Sequence, residues 1–130
     1  MLITIITAVK NDKKNILKTI NSVKNQNFRD YEHIIIDGNS VDGTSSVIKK
    51  NLNKKTVFIK KKDKNLYEAL NFGIKIAKGN YICVLHSGDI FKNKNFLSYI
   101  SKKLHNFDLI CGNIVFKKKN KIIRFWNFKI

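Results

Sequence analysis

Apolar residues occur along this chain in short runs that alternate with segments of helical spacing. Residues 2–9 form a continuous apolar and β-branched run, which is typical of a strand buried in a parallel sheet. Similar but shorter runs predict strands at 31–36, 56–59 and 81–85. Strands that alternate with helices predict an α/β domain with a mostly parallel sheet flanked by helices.

Polar residues suited to capping a helix follow the first three predicted strands. Asn11 or Asp12 is expected to cap the first helix, and Ser40 or Asp42 the second. Asp63 is expected to cap the third, whose apolar face is predicted to consist of Leu66, Leu70, Ile74 and Ala77. Later in the chain, a helix is predicted at 96–104 and strands at 109–116 and 122–128, with Asp108 opening the first of these two strands.

Residues 63–89, DKNLYEALNFGIKIAKGNYICVLHSGD, join two acidic turns through a helix and a strand. This order returns the chain to the same end of the sheet, so Asp63 and Asp89 are predicted to lie at one rim. Ligands of open α/β sheets bind beyond the carboxyl ends of the strands. The chain has 9 acidic and 26 basic residues, so acids gathered at that rim indicate a metal and an anionic ligand.

Each of these carboxylates also has a purely structural explanation. Asp37 ends a strand before Gly38, where it can accept a hydrogen bond from a ligand or stabilise a tight turn. Asp89 can hold a hard divalent cation through oxygen, with water and phosphate completing the shell, or it can cap the next segment. Asp42 and Asp63 fit helix caps better than ligand groups, and His86 fits a site residue or a surface residue equally well.

The net charge of +17 allows three interpretations. Nucleic acid or an anionic membrane surface would attract such a chain, and a composition biased towards Lys, Asn and Ile would produce the same charge without a partner. The charges are spread over nearly every segment, which favours the last interpretation. The tail is different, because no acid follows Asp108 and basic residues alternate with aromatic ones from Phe116 onward. This pattern predicts a strand or a membrane-surface segment at 117–130.

Several classes of protein are not indicated by the sequence. The longest apolar runs fall well short of the ~20 residues of a membrane span, and the N-terminus lacks a signal-peptide pattern. A cytoplasmic protein is therefore expected, with Cys83 and Cys111 reduced and packed as small hydrophobic residues. The chain contains no dinucleotide fingerprint, no phosphate-binding P-loop and no nucleophile elbow.

Four segments in this order resemble the family-2 glycosyltransferases of the GT-A fold: ITIITAVKND, YEHIIIDGNSVDGT, residues 63–89 and FDLICGNI. The resemblance covers about residues 2–116. It implies a single GT-A domain with a Rossmann-like sheet at 1–116, followed by the basic and aromatic tail at 117–130.

The resemblance also implies roles for particular residues. Asp37 would contact the nucleobase, and Asp89 would bind a Mn or Mg ion at the position of the family's DxD-type motif. The other implied donor-binding residues are Thr7, Ala8 and Val9 in the nucleotide pocket, Asp63, Lys64 and Asn65 beside the nucleotide and the sugar, and Ser87 and Gly88 in the DxD-type motif.

The activity implied is transfer of a sugar from a nucleoside diphosphate, with UDP the commonest, to a polysaccharide or lipid-linked acceptor of the cell envelope. Inversion at the anomeric carbon is expected. The place of action would be the cytoplasm, with peripheral contact at the inner face of the plasma membrane.

Two departures from the family pattern affect these expectations. The motif here is Ser-Gly-Asp, with one carboxylate where many relatives have two. The family's general base lies further along than this chain reaches, and Asn113 stands where relatives often have Asp, so the catalytic residue is unknown. The resemblance therefore indicates a short or C-terminally truncated member. Three explanations stay open: a small enzyme, a truncated product, or a chain completed by a partner or a second copy. A nucleotide-sugar-binding module without turnover is the main alternative, and nucleic-acid binding is the third hypothesis.

Overall fold

The computed structural model of the protein describes residues 1–106 and 108–126. The chain divides into two compact units, Met1–Ser98 and Tyr99–Ile130. The expected division into a GT-A domain at 1–116 and a basic and aromatic tail at 117–130 stays a prediction.

The first unit is built on a four-stranded parallel sheet. Its strands are β1 (Ile3–Val9), β2 (Tyr31–Asp37), β3 (Thr56–Lys60) and β4 (Tyr81–Val84), in the spatial order β3-β2-β1-β4. All seven residues of β1 are buried, as expected for a central strand between two helical layers. The predicted α/β fold with a parallel sheet is confirmed.

Helices cover both faces of this sheet. The helices are α1 (Ile16–Lys24), α2 (Thr44–Lys50), α3 (Leu66–Ile76) and α4 (Phe96–Ser101), followed by a short 3₁₀ helix at Leu104–Asn106. On one face, α1 and α2 contribute Ile16, Ile20 and Ile48 to a buried cluster with Val9 and Ile35 of the sheet. On the other face, Ala69 of α3 packs in a cluster with Ile6, Ala8, Ile34 and Ile36. The helix predicted at 96–104 is shorter than expected, because α4 ends at Ser101.

The apolar face predicted for helix α3 is confirmed in part: Leu70 and Ala77 pack against the core cluster of the sheet, and the other two residues remain exposed. Ala69 and Gly73 are its buried residues, whereas Leu66 and Ile74 are 44% and 46% exposed. A Cβ atom at Gly73 would lie 2.7 Å from Cγ2 of Ile6. The small residues allow the helix backbone to approach the sheet closely, so the larger residues remain at the sides of the contact.

Strand β4 is only half-buried, although its apolar run predicted a buried strand. Ile82 and Val84 are 43% and 44% exposed. Within the described residues β4 pairs with β1 alone and so forms an edge of the sheet. The run of apolar residues identified the strand correctly but did not indicate its position in the sheet.

The second unit contains an antiparallel hairpin of β5 (Ile114–Lys118) and β6 (Lys121–Trp126). Strand β5 begins later than predicted, so Asp108 does not open a strand. Residues 127 and 128 of the predicted last strand lie outside the described residues. Cys111, expected to be packed, is an exposed free thiol. Cys83 in the first unit is a partly buried free thiol, and burial raises its pKa to about 11.

Candidate functional site

Hydrogen bonds join the loops that follow β1 and β2 at the carboxyl edge of the sheet. The backbone N–H of Asn11 donates to the Ser40 hydroxyl (2.8 Å), and the N–H of Val41 donates to Oδ1 of Asn11 (2.9 Å). The N–H of Asp12 donates to the Thr44 hydroxyl (3.0 Å). These polar residues therefore hold the two loops together through hydrogen bonds.

These connections use most of the side chains that were predicted as helix caps. Helix α1 starts at Ile16 and α2 at Thr44, and neither has a side-chain cap at the preceding residue. Asp42, one of the two residues predicted to cap α2, does accept from the backbone N–H of Thr44 (3.0 Å). It also accepts from the Thr44 hydroxyl and from the backbone N–H of Lys13 (3.0 Å), and these hydrogen bonds lower its pKa. The predicted capping roles of Asn11, Asp12 and Ser40 were wrong because long-range contacts use these groups.

Asp37 is fully buried at the end of β2. Its Oδ1 accepts from the backbone N–H of Ser40 (3.0 Å) and from the Ser40 hydroxyl, and its Oδ2 accepts from the Ser45 hydroxyl. Its carbonyl oxygen accepts from the N–H of Lys61 (3.0 Å). The carboxylate thus organises the turn into α2, while the backbone carbonyl holds the end of β3 beside it.

The turn Ser87-Gly88-Asp89 is fastened to α1 and to the loop before it. The Ser87 hydroxyl donates to Oδ2 of Asp12 (2.7 Å). The Thr19 hydroxyl accepts from the N–H of Gly88 (2.9 Å) and donates to the carbonyl of Asp89 (2.9 Å). Gly88 has φ +93, a conformation that favours glycine. The Asp89 side chain is exposed, and its backbone atoms make its hydrogen bonds within the described residues.

Asp12 and Thr19 were not predicted as site residues. Their contacts to the turn join residues 75 and 69 positions apart in the sequence. Asp12 also accepts from the Asn15 amide (2.7 Å), which orients its carboxylate. A single sequence carries no direct signal for such a pairing.

The loop after β3 contains a carboxylate with an unused oxygen. The side chain of Asp63 is 4% exposed and forms an ion pair with Lys61, whose pKa is raised by this hydrogen bond. Oδ2 of Asp63 is buried and has no hydrogen-bond partner among the described residues. A cavity of about 350 Å³ adjoins it, and its lining consists of Lys61, Lys62, Asp63, Lys64 and Glu68.

The cap of α3 is Asn65, and the prediction of Asp63 was wrong. Oδ1 of Asn65 accepts from the N–H of Glu68 (3.0 Å), while Oε2 of Glu68 accepts from the N–H of Lys64 (2.6 Å). This reciprocal arrangement resembles a capping box, in which two otherwise unpaired donors at a helix start are satisfied together. Asp63 is thereby left free of a capping role.

The end of β1 is closed to solvent. Thr7, Ala8 and Val9 are all buried, and the Thr7 hydroxyl lies 2.8 Å from Nε2 of His33. Burial lowers the pKa of His33 to about 3. The role expected for these three residues in a nucleotide pocket stays a prediction, and their side chains are packed inside the unit.

The candidate residues share one edge of the sheet at different positions along it. Asp63 follows β3 and the Ser87–Asp89 turn follows β4, which are the two outer strands. Three strand spacings separate these positions, which corresponds to roughly 14 Å. Asp37 lies between them, hydrogen-bonded directly to Lys61 on the β3 side and through Ser40 to Asn11 on the β1 side. The edge is long enough for an extended ligand.

A family model described as glycosyl transferase family 2 matches residues 4–128. The chain belongs to this family. The match includes β1 from Thr4 onward, all of β2 to β4, and every candidate site residue named above. The resemblance identified from the sequence is thereby confirmed.

Curated relatives of this family-2 chain are considerably longer. It is 35% identical over 105 residues to the UDP-Glc:α-D-GlcNAc-diphosphoundecaprenol β-1,3-glucosyltransferase WfaP of Escherichia coli, covering 80% of this chain and 40% of the relative. It is 36% identical over 117 residues to an uncharacterized glycosyltransferase of Mycoplasma genitalium, covering 82% and 39%. The chain thus spans about two-fifths of the length of these relatives.

Solved structures share the fold. A crystal structure of S. aureus TarS 1–349 in complex with UDP-GlcNAc superposes with a TM-score of 0.76 at 24% identity, over 81% of this chain and 31% of TarS. A mannosyltransferase from Pyrobaculum calidifontis in complex with GDP-Man and Mn²⁺ gives 0.73 at 19% identity, over 90% and 35%. These similarities establish the fold of the family-2 chain.

Proposed function

We propose that the first unit is the nucleotide-sugar-binding part of a glycosyltransferase. Its donor would be a sugar linked to a nucleoside diphosphate, with UDP favoured, and its acceptor a polysaccharide or a lipid-linked glycan. The observation that carries the proposal is the family match over 4–128, together with a Ser-Gly-Asp turn held on α1 with its carboxylate exposed. The E. coli relative is named for a UDP-sugar donor and a diphosphoundecaprenol-linked acceptor, which supports the same classes here.

Asp89 is the proposed ligand of a divalent cation, Mn or Mg. Its exposed carboxylate supplies the hard oxygen donor that such ions prefer. The described residues contain no group of three or more His, Cys, Asp or Glu side chains that could enclose a metal. The residues fit a cation with one protein ligand, completed by water and the donor's diphosphate. Such a bound cation would supply charge stabilisation to the departing diphosphate.

The loop after β3 is proposed to bind the nucleotide or the sugar. The buried Oδ2 of Asp63 can accept a hydrogen bond from a ligand N–H or hydroxyl, which would satisfy an atom that has no partner among the described residues. Lys62 and Lys64 line the adjoining cavity. Their ammonium groups would attract the diphosphate and stabilise its increasing negative charge.

In the proposed reaction an acceptor hydroxyl attacks the anomeric carbon as its bond to the diphosphate oxygen breaks. The hydroxyl loses its proton to a base, and the nucleoside diphosphate leaves with the bonding electron pair. A single displacement of this kind inverts the configuration at that carbon. The general base is unidentified in this chain, since Asp108 is the only acid after Asp89 in the sequence.

The test compares Asp89→Asn with Asp30→Asn, which removes the same charge from an exposed residue at the opposite end of β2. Calorimetry would measure UDP and UDP-sugar binding with and without Mn. Asp89→Asn is expected to lower the Mn-dependent affinity at least roughly tenfold, because even outer-shell partners of a bound metal contribute that much. Asp30→Asn should bind as the unchanged chain does. Equal binding by both variants would exclude the metal role of Asp89.

A nucleotide-sugar-binding module without turnover is the second candidate. The position of Asn113, where an acid would be expected, and the shortage of acids after Asp89 favour it. Labelled-sugar transfer to lipid-linked acceptors separates the two candidates. Donor binding with transfer supports the enzyme. Donor binding without transfer supports the module, provided that transfer is also absent under conditions in which two copies of the chain associate. If no nucleotide binds, both proposals fail.

A further inference from the structure

The β5–β6 hairpin of the second unit exposes several large apolar side chains. Ile122, Ile123 and Phe125 are 63%, 64% and 53% exposed, and Ile114 and Phe116 are 42% and 38% exposed. An isolated two-stranded hairpin is marginally stable in water and gains stability when its apolar surface is covered. A partner that covers this surface would therefore stabilise the hairpin.

The same hairpin is strongly cationic. Its turn, at Lys119 and Asn120, has positive φ at both residues, as in the tight turns that match the twist of paired strands. Four exposed lysines surround this turn, a fifth cation lies on β6, and no acid occurs after Asp108. The cationic residues are Lys117, Lys118, Lys119, Lys121 and Arg124.

The register places cationic and apolar groups on one face. Lys117 pairs with Ile122 and Val115 with Phe125, so these four side chains project to the same side of the ribbon. Ile123 lies at the irregularity in the register between these two pairs. The opposite face carries Ile114 and Phe116 with Lys118, Lys121 and Arg124, so apolar and cationic groups lie side by side on both faces of the hairpin.

We propose that the hairpin Ile114–Trp126 binds the surface of an anionic lipid bilayer. The apolar side chains would enter the boundary between head groups and acyl chains. The lysine stems would lie along that apolar layer with their ammonium groups among the lipid phosphates. This inference goes beyond the proposed function and does not depend on it.

Charge complementarity favours a bilayer over other occupants. A protein segment covering the hairpin would have to bring acidic groups to its lysines or bury those lysines in a desolvated interface without acidic partners. A single-stranded nucleic acid would use aromatic side chains for stacking, whereas the most exposed apolar residues here are Ile122 and Ile123. An anionic lipid surface accommodates aliphatic and cationic side chains together.

The experiment is sedimentation of the whole chain with vesicles of phosphatidylcholine alone or mixed with phosphatidylglycerol. The unchanged chain is expected to sediment with the anionic vesicles. The variant Lys117→Gln, Lys118→Gln, Lys119→Gln should bind them roughly tenfold or more weakly. A second variant, Ile122→Ser, Ile123→Ser, Phe125→Ser, should also bind more weakly while its net charge is unchanged.

The matched control is Lys49→Gln, Lys50→Gln, Lys54→Gln, which removes three exposed lysines from the first unit. Its circular dichroism and vesicle affinity should stay near those of the unchanged chain. Equal weakening in the control would attribute binding to overall charge and overturn the proposal. The proposal also fails if the unchanged chain does not sediment with anionic vesicles. It fails as well if the hairpin lysines are needed for binding polyuridylate but not for binding vesicles.

Discussion

His33 shows how burial of one side chain connects folding to pH. Its Nε2 is hydrogen-bonded to the Thr7 hydroxyl inside the first unit, and burial lowers the pKa of the ring from 6.5 to about 3. Below pH 6.5 the unfolded chain binds a proton at this ring, while the folded chain does not until about pH 3. The folded state therefore loses stability as the pH falls through this range and regains it as the pH rises.

The first prediction concerns this histidine. Between about pH 7 and about pH 5, His33 alone should lower the free energy of unfolding by about 2 kcal/mol. His33→Gln should remove that part of the pH dependence, as measured by urea unfolding at both pH values. His105→Gln changes an exposed histidine and should keep the full dependence. Parallel pH profiles for the unchanged chain and His33→Gln would contradict the assignment.

Individual site residues were predictable only where their position in a strand determined their location. Asp37 and Asp89 were placed at the carboxyl edge because each follows a recognisable apolar run. Asp12 and Thr19, which hold the Ser-Gly-Asp turn, were missed because their hydrogen bonds depend on how α1 and the loop before it lie against the loop after β4. Hydrogen-bond partners so distant in sequence are not encoded in local spacing.

At the scale of elements, α3 is positioned by its lack of side-chain bulk. Gly73 is expected to lower intrinsic helix stability by ~1 kcal/mol relative to Ala. An added methyl group would nevertheless lie 2.7 Å from Ile6 Cγ2 and 3.0 Å from Ile36 Cδ1. Close packing against Ile6 and Ile36 therefore favours glycine at position 73, despite its lower helix propensity.

The second prediction is that Gly73→Ala destabilises the protein. Overpacking of this kind costs ~1–3 kcal/mol, which should exceed the gain in helix propensity. Asn71→Ala, at an exposed position of the same helix, should leave the free energy of unfolding nearly unchanged or raise it slightly. Urea unfolding of both variants provides the comparison, and a stabilised Gly73→Ala variant would show that the contact relaxes freely.

The third prediction concerns the start of α3. Asn65→Ala removes the acceptor for the N–H of Glu68 and should lower the free energy of unfolding by ~1 kcal/mol. Asn65→Asp retains that acceptor and should be close to neutral. Chemical unfolding would measure both, and equal losses in the two variants would indicate that the cap contributes little.

Element order was predictable, whereas element boundaries and faces were less so. The alternation of apolar runs and helical spacing identified β1 to β4 and α1 to α3. The apolar spacing in α3 suggested Leu66 and Ile74 as core residues, because hydrophobicity alone does not show that Ala69 and Gly73 permit the closest approach. Likewise, the start of β5 was missed because the short apolar run at 109–111 resembles the beginning of a strand.

At the scale of the whole molecule, basic residues far outnumber acidic ones. The chain carries 26 basic and 9 acidic residues. In the part of the chain that the structure describes, Lys61–Asp63 is the single ion pair. Repulsion between cations therefore outweighs attraction between paired charges in the folded state.

The fourth prediction is that salt stabilises the fold. Raising KCl from about 0.02 M to about 0.3 M shortens the range of electrostatic repulsion and should raise the melting temperature. Differential scanning calorimetry at both concentrations, without nucleotides or divalent ions, would measure this. A lower melting temperature in higher salt would mean that ion pairs contribute more than repulsion does.

None of the helices in the described part of the chain is both long and apolar enough to cross a bilayer. The family and its fold were predictable from the sequence taken as a whole, because four segments in a fixed order specify a family better than any one of them does. The two-unit organisation and the exposed face of the hairpin were not, since both depend on tertiary contacts that the sequence does not display.

The two outer strands of the sheet differ in a way that affects assembly. Lys54, Lys55 and Lys60 lie at the ends of β3, while β4 itself contains no charged residue and has Ile82 and Val84 partly exposed. Lysines along a sheet border discourage a foreign strand from joining there. The β3 border is thus protected by charge against strand addition, whereas the residues of β4 provide no such protection.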